Sequence, residues 1–345
     1  MAVAAGLCVQ PQSLSAERRA VALPMIANKT ITPRVVYMEN PRFPKVSVDE
    51  LWKVFGSAAG LVKTHFGITV KKPDRIDVLG IDHVFQGVME KKSRRFGRNI
   101  GDFRNGNVDW DRVKTMLVRQ IEKQKDPLAR QIGFARPHLV RPLAEETVEG
   151  FAEAVIATFR ARLKYWTTAP LADGHPVIGK APGFPDLPYN EYAYWALMAK
   201  LGIGAEIIVT NQLVASVEYM PTPVHSSIRG GITGGATEYN PLSRLGSSVW
   251  VSLFPYLSDD RHIQKLRGGD TYARDRALKL AGVMLAHEMG HQLLHLGHPW
   301  SNRSCVMRPA EVLNFAAWAA SLNAARCRVG SSPAMTPGVL KIPVW

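Results

Sequence analysis

One run near the C-terminus, His287-Glu288-Met289-Gly290-His291, constrains this chain more than any other feature. On a helix, residues four positions apart lie on one face, so the two histidines can close on one metal ion. Glu288 is too close in sequence to be a comfortable third ligand, but it is well placed to take a proton from a metal-activated water. The run therefore predicts a helix that carries a zinc site together with its own general base.

The flanking sequence also favours a helix, from Thr271 to Leu294. This stretch contains no proline, and its apolar residues recur at helical spacing. Histidines on an apolar helix are often core residues bonded to backbone. Here, however, four of the chain's ten histidines, together with a glutamate, fall within twelve residues. That concentration favours a metal site over core packing.

Three residues compete to complete the metal shell. His298 follows Gly297, which can adopt a left-handed backbone conformation, end the helix and turn the next residue back toward the metal. His295 continues the four-residue spacing, but on an unbroken helix it would lie roughly 12 Å along the axis from His287. Glu311 could return a carboxylate from a second helix, although an acidic residue also suits the first turn of that helix. His298 is the favoured ligand, and the other two stay open.

The histidine run resembles the HExxHxxGxxH signature of the metzincin metallopeptidases. Met307 stands where those enzymes place the methionine of their Met-turn, and the Cys305-x-Met307 pairing is similar to the archaemetzincin branch. Leu294 replaces the family glycine and the third histidine comes one residue late, which a one-residue insertion around His295 reconciles. The later Cys-x-x-Cys of archaemetzincins is missing. The resemblance therefore implies one catalytic zinc ion and no second, structural ion.

The fold implied by the resemblance is α/β (α+β). It is a metzincin-like catalytic domain with a mixed twisted sheet, an active-site helix, a Met-turn and a C-terminal helix. Val35–Met38 and Gly67–Val70 look like strands on either side of a helix that runs from Ser47 to about Thr64, a β-α-β start.

Two later segments, Glu206–Thr210 and Ser248–Phe254, have the β-branched and aromatic composition of strands. In metzincins the strand nearest the cleft pairs its backbone with extended substrate. Either the Ser248–Phe254 strand or the Gly230–Tyr239 segment before it is the candidate for that role.

The domain organisation predicted from the sequence is a flexible leader over residues 1–32 and a metallopeptidase-like domain over residues 33–345. Within the domain, residues 71–200 form a helical, basic insertion or subdomain. Further helices are predicted at Val108–Lys125, Glu145–Trp166, Glu191–Leu201 and Pro309–Arg326.

The predicted function is a zinc-dependent metallopeptidase that hydrolyses peptide bonds, with Glu288 as general base. Tyr239, in a glycine-rich segment, and Arg308, next to the predicted Met-turn, are candidate donors to the oxyanion. With Glu311 as third ligand the enzyme would instead be gluzincin-like. The substrate in either case is a peptide or protein.

The formal net charge of +14 supports a competing hypothesis, a basic nucleic-acid-binding protein whose zinc site is structural. The cluster Lys91–Arg98 contains five basic residues and an aromatic residue, Phe96, which could stack on a base. No helix-turn-helix, zinc-finger or RNP pattern accompanies it. The cluster is therefore either a solvated surface or a contact site for a polyanion, and the sequence does not specify which polyanion.

The sequence gives little information about the compartment. No apolar run approaches the roughly 18 residues that a membrane span requires. The N-terminus lacks the basic start of a signal peptide, so a soluble, cytoplasmic protein is slightly favoured. Cys305 and Cys327 could pair across the C-terminal helix if the protein is exported.

Overall fold

The computed structural model describes most of the predicted catalytic domain. The described residues are 18–22, 30–81, 108–124, 126–178, 182, 202–214, 224–240, 242–294, 296, 304–323 and 339–343. The helices of these residues are α1 Val48–Phe66, α2 Trp110–Lys123, α3 Leu128–Ala135, α4 Val148–Trp166, α5 Val224–Ser227, α6 Phe254–Leu257, α7 Arg261–Leu266, α8 Arg274–Leu294 and α9 Phe315–Ser321. The strands are β1 Arg18–Ala22, β2 Thr30–Ile31, β3 Val35–Glu39, β4 Thr69–Val70, β5 Ile76–Gly80, β6 Ile207–Thr210, β7 Gly235–Tyr239, β8 Ser247–Ser252 and β9 Val339–Pro343.

A five-stranded mixed sheet in the order β5-β3-β6-β8-β7 organises the molecule. The strands β5, β3, β6 and β8 are parallel, and β7 runs antiparallel along the edge next to β8. Two pairs of short strands, β2 with β4 and β1 with β9, lie outside this sheet. The α/β class predicted from the sequence is therefore confirmed.

Both faces of the three inner strands, β3, β6 and β8, are buried, and apolar residues follow one another in these strands instead of alternating with polar ones. Alternate residues point to opposite faces. On one face Val35, Tyr37 and Val251 belong to the large core formed with the helices. On the other face Met38 and Trp250 belong to a smaller apolar cluster.

The helix α1 forms where its capping signals predicted. The Ser47 hydroxyl accepts from the backbone of Glu50 while the Glu50 carboxylate accepts from the backbone of Ser47, which is a complete capping box. At the other end Gly67 takes a left-handed conformation (φ 71°) and its N–H bonds to the carbonyl of Lys63.

The helix α8 packs closely on α1. A Cβ atom at Gly282 would lie 2.5 Å from the Cβ of Ser57 and 2.7 Å from the carbonyl oxygen of Val54. Only a glycine at position 282 lets the two helices come this close. The helix α8 therefore lies packed between α1 and the sheet.

Two predicted elements differ from the structure. The strand that returns parallel to β3 is β5, whereas the predicted segment Gly67–Val70 contributes only β4, which pairs with β2. The predicted helix Pro309–Arg326 is reduced in the described residues to α9, whose N-cap is Asn314. Turns fill the stretch before it, where Val312 has a positive φ of 56° that a helix cannot contain.

The stretch predicted as an insertion contains β5 and the helices α2, α3 and α4. The helix α2 buries Leu117 and Ile121 and exposes most of its charged residues. Trp110, at its first turn, packs edge-on against Phe159 of α4, with ring centroids 6.2 Å apart. The basic cluster Lys91–Arg98 and the predicted helix Glu191–Leu201 lie outside the described residues. Within the described residues, none of the helices combines the length and apolar character that a bilayer crossing requires.

Candidate metal centre

The helix α8 carries His287, Glu288 and His291 and is anchored on the sheet by the next residue along. The Gln292 side-chain amide donates to the carbonyl oxygens of Glu206 and Ser247, at 2.9 and 3.0 Å. These two carbonyls lie at the start of neighbouring strands, so a single side chain fixes the helix across β6 and β8. The histidine pair is thereby held at a defined height above the sheet.

Both histidine rings are oriented by backbone carbonyls. The Nδ1 atom of His287 lies 2.8 Å from the carbonyl oxygen of Val306, and the Nδ1 atom of His291 bonds to the carbonyl oxygen of Leu296. A carbonyl oxygen can only accept, so each Nδ1 carries a proton, and in the neutral ring each Nε2 then carries a lone pair. This is the arrangement that metal-ligating histidines adopt.

The two Nε2 atoms of His287 and His291 point at each other across 3.1 Å, with the rings nearly perpendicular at 87°. Two lone pairs at this distance repel unless a proton or a cation lies between them. Ligand nitrogens at about 2.0–2.1 Å from zinc in tetrahedral geometry are about 3.3 Å apart. The pair therefore fits a zinc ion with a small adjustment.

Apolar side chains pack tightly against the part of α8 that carries the histidines. A Cβ atom at Gly290 would lie 2.2 Å from the Sδ atom of Met307 and 2.9 Å from the ring of Phe66. The glycine within the histidine motif therefore lets Met307 reach the helix between the two histidines. Trp318 of α9 adds an edge-on contact to the His287 ring, with centroids 5.7 Å apart. Met307 lies where a structural floor for the site would be.

The Glu288 carboxylate lies beside the edge strand β7 and is only 5% exposed. The Thr237 hydroxyl is 2.8 Å from its Oε2 atom and 2.9 Å from its backbone oxygen. Tyr256, which is fully buried nearby, has a pKa raised well above its usual value, first by burial and then by the charge of Glu288. Glu288 is thus a buried carboxylate on the same helix as the histidine pair.

Among the candidate third ligands, His295 and His298 lie outside the described residues. Glu311 is exposed, and its carboxylate forms an ion pair with the Arg308 guanidinium at 2.6 Å. The described residues contain no group of three His, Cys, Asp or Glu side chains arranged to hold a metal ion. Within this part of the chain, therefore, Glu311 does not join His287 and His291.

The two candidate oxyanion donors differ in what is described. The Tyr239 side chain lies outside the described residues, although its backbone belongs to β7. Arg308 follows Met307 directly and is largely covered, with 12% of its side chain exposed, and it is engaged by Glu311.

Cys305, two residues before Met307, is buried and disulfide-bonded. The chain's other two cysteines, Cys8 and Cys327, lie outside the described residues. The disulfide restricts the movement of the turn that contains Val306, whose carbonyl contacts His287, and Met307.

Sequence reasoning missed the residues that support the site. The carbonyls of Val306 and Leu296 carry no signal because any residue has one. Gln292 and Thr237 are single polar residues whose partners are distant in sequence. For Thr237 the available signal was its place in the glycine-rich segment before β8.

Comparison of the chain with family models, curated proteins and solved structures finds no match.

Proposed function

We propose that the protein is a zinc-dependent metallopeptidase that hydrolyses peptide bonds. One observation carries the proposal: the His287 and His291 Nε2 atoms converge to 3.1 Å while both Nδ1 atoms donate to backbone carbonyls. Core histidines have no need of two facing lone pairs, whereas zinc requires them. His298 remains the proposed third ligand, because it follows Gly297, and a glycine can adopt the left-handed conformation that a turn back to the metal would need.

The site residues divide the chemistry between them. Bound zinc would polarise the peptide carbonyl and lower the pKa of a water molecule. Glu288, buried beside the ligand pair, would accept the proton of the attacking water and pass it to the leaving amine. His287 and His291 would keep their Nε2 lone pairs on the ion because Val306 and Leu296 hold their other nitrogens.

The substrate would lie along β7. Of the two candidate strands, β8 is paired on both sides, by β6 and β7, so its backbone groups are already used. The strand β7 pairs only with β8 among the described residues, and it contacts α8. An extended peptide can add to such an edge by backbone hydrogen bonds. The arrangement supports β7 as the strand that aligns the scissile bond with Glu288.

The test combines metal analysis with digestion of a mixed peptide library. We expect one zinc per chain and cleavage products from the wild-type protein. The Glu288→Ala variant should retain zinc and lose at least about 100-fold in kcat/KM, because general base catalysis typically contributes this much. A matched control is Glu122→Ala, which removes an exposed glutamate of α2 and should cleave like the wild type.

Further variants separate the alternatives. His298→Ala should abolish zinc binding and Glu311→Ala should not; the reverse result would favour the gluzincin-like site. Zinc without cleavage would contradict the peptidase. If binding of the Glu288→Ala variant to nucleic acid then fell steeply with added salt, the basic nucleic-acid-binding protein would replace it.

A further inference from the structure

The face of β7 that meets α8 is built from a glycine and a threonine. Residues two apart in a strand share a face, so Gly235 and Thr237 both lie toward the helix. A Cβ atom at Gly235 would be 3.0 Å from Cγ of Glu288, 3.0 Å from Cγ of Met284 and 2.9 Å from the Trp250 oxygen. The missing side chain at position 235 lets the strand come close enough for the next residue on that face to reach Glu288.

The Thr237 hydroxyl contacts Glu288 at two points. It lies 2.8 Å from the carboxylate Oε2 atom and 2.9 Å from the backbone oxygen of the same residue. The hydroxyl has one proton to donate and lies within hydrogen-bonding distance of both oxygens. It therefore ties the Glu288 side chain back toward its own backbone and restricts the rotamers that the carboxylate can adopt.

We infer that Thr237 is a positioning residue, which fixes the orientation of the Glu288 carboxylate relative to the His287 and His291 Nε2 atoms. The inference rests on the proposed function, in which that carboxylate accepts a proton from water. Proton transfer requires donor and acceptor within about 2.6–3.2 Å, so a carboxylate free to rotate would spend much of its time out of reach. The same hydroxyl links the candidate substrate strand to the base.

A threonine that served only to stabilise the fold would behave differently. Its removal would lower the stability of the protein, and its effect on turnover would not depend on whether Glu288 is present. A positioning role predicts that kcat falls while substrate and zinc binding persist. It also predicts that the effect disappears once Glu288 is removed.

The variants are chosen to isolate the hydroxyl. Thr237→Val keeps the shape and removes the hydroxyl, Thr237→Ala removes it without the branched methyl group, and Thr237→Ser retains it. The matched control is Thr158→Val. Thr158 is a fully buried threonine of α4 whose hydroxyl donates to the Ala154 carbonyl at 2.8 Å.

We expect Thr237→Val and Thr237→Ala to lower kcat about 10- to 100-fold, the size of effect produced by a misplaced catalytic group. KM should stay within about 3-fold, zinc content should stay at one per chain, and Thr237→Ser should recover kcat to within about 3-fold of the wild type. Thr158→Val should lower thermal stability without changing kcat. In a Glu288→Ala background, Thr237→Val should cause no further loss of residual activity.

Crystal structures of the wild type and of Thr237→Val or Thr237→Ala provide a readout that does not use activity. The positioning role predicts a displaced or disordered Glu288 carboxylate in the variant. An unchanged carboxylate would overturn it, as would unchanged kcat, failure of serine to rescue, or a full additional loss in the Glu288→Ala background. If the wild type cleaves no peptide, the proposed function fails by itself, and the crystal structures still decide whether Thr237 positions Glu288.

Discussion

Two buried glutamates, Glu206 and Glu288, differ in the groups that surround them. Glu206, 1% exposed at the start of β6, accepts from the guanidinium groups of Arg34 and Arg244, at 2.9 and 2.7 Å. It also accepts from the backbone N–H groups of the same two arginines. Burial alone would raise the pKa of Glu206, but these hydrogen bonds outweigh burial and lower it to about 2. Glu206 is therefore ionised at any ordinary pH and serves to join three segments of the sheet.

Glu288 is almost as buried, and the Thr237 hydroxyl, a neutral donor, lies 2.8 Å from its Oε2 atom. A neutral donor orients a carboxylate without the strong stabilisation of the charged form that an arginine pair provides. Burial by itself therefore does not distinguish a structural carboxylate from a candidate base. The two arginine donors identify Glu206 as structural, whereas the histidine pair on its own helix makes Glu288 a candidate base.

The largest expected effect on stability is the difference between glutamine replacements at the two glutamates. Glu206→Gln should lower the free energy of unfolding by about 2–3 kcal/mol, because it removes the charge that two arginines share. The loss in free energy of unfolding is smaller than for a fully buried ion pair, because the arginine side chains are 47% and 46% exposed and can be hydrated. Glu288→Gln should lower the free energy of unfolding by less than Glu206→Gln does, because an amide oxygen can still accept from Thr237.

Urea unfolding of both variants with EDTA present measures this difference without a metal contribution. Equal losses in the two variants would mean that Glu288 is as much a part of the structural frame as Glu206. That outcome would remove the distinction between the two sites.

Acid unfolding should show the same contrast. The pKa of Glu206 is about 2 in the folded protein against 4.5 for an unperturbed glutamate. Because the folded pKa is the lower one, the stabilisation is present above about pH 4.5 and is lost as the pH falls toward about 2. In Glu206→Gln the free energy of unfolding should therefore fall less steeply across this window than in the wild type. Parallel curves would contradict the assigned ion cluster.

A smaller effect is expected from two glycines in comparable helices. Gly290→Ala in α8 should destabilise by about 1–2 kcal/mol, because its Cβ would overlap Met307 and Phe66. In Gly56→Ala of α1, the added Cβ would have no neighbouring atom within 4 Å. This variant should therefore be more stable than the wild type by about 0.5 kcal/mol. Thermal unfolding distinguishes the two. A tolerated Gly290→Ala would show that Met307 does not press against the helix.

The parts of the fold that the sequence predicted well depend on local signals. The α8 helix follows from its periodicity, and the start of α1 follows from the Ser47 capping box. Strand pairing is non-local, so nothing near Gly67–Val70 indicated that β5 would be the partner of β3. The predicted C-terminal helix was too long because the apolar spacing continues through Val312. The left-handed backbone of Val312 prevents a helix there.

The candidate site shows the same division. His287, Glu288 and His291 are recognisable because their spacing alone puts two potential zinc ligands on one face of a helix, with a carboxylate beside them. Thr237 contacts a residue 51 positions away in the sequence. Gln292 contacts two residues, 45 and 86 positions away. Only folding of the chain brings these partners together. A polar residue of this kind has no pattern of its own in a single sequence.

A crystal structure of the zinc-loaded protein, with anomalous diffraction measured at the zinc edge, tests the proposed zinc site. We expect one strong anomalous peak within about 2.0–2.1 Å of the Nε2 atoms of both His287 and His291. A zinc-saturated crystal with no peak between these nitrogens, or with zinc bound only at other side chains, would contradict it.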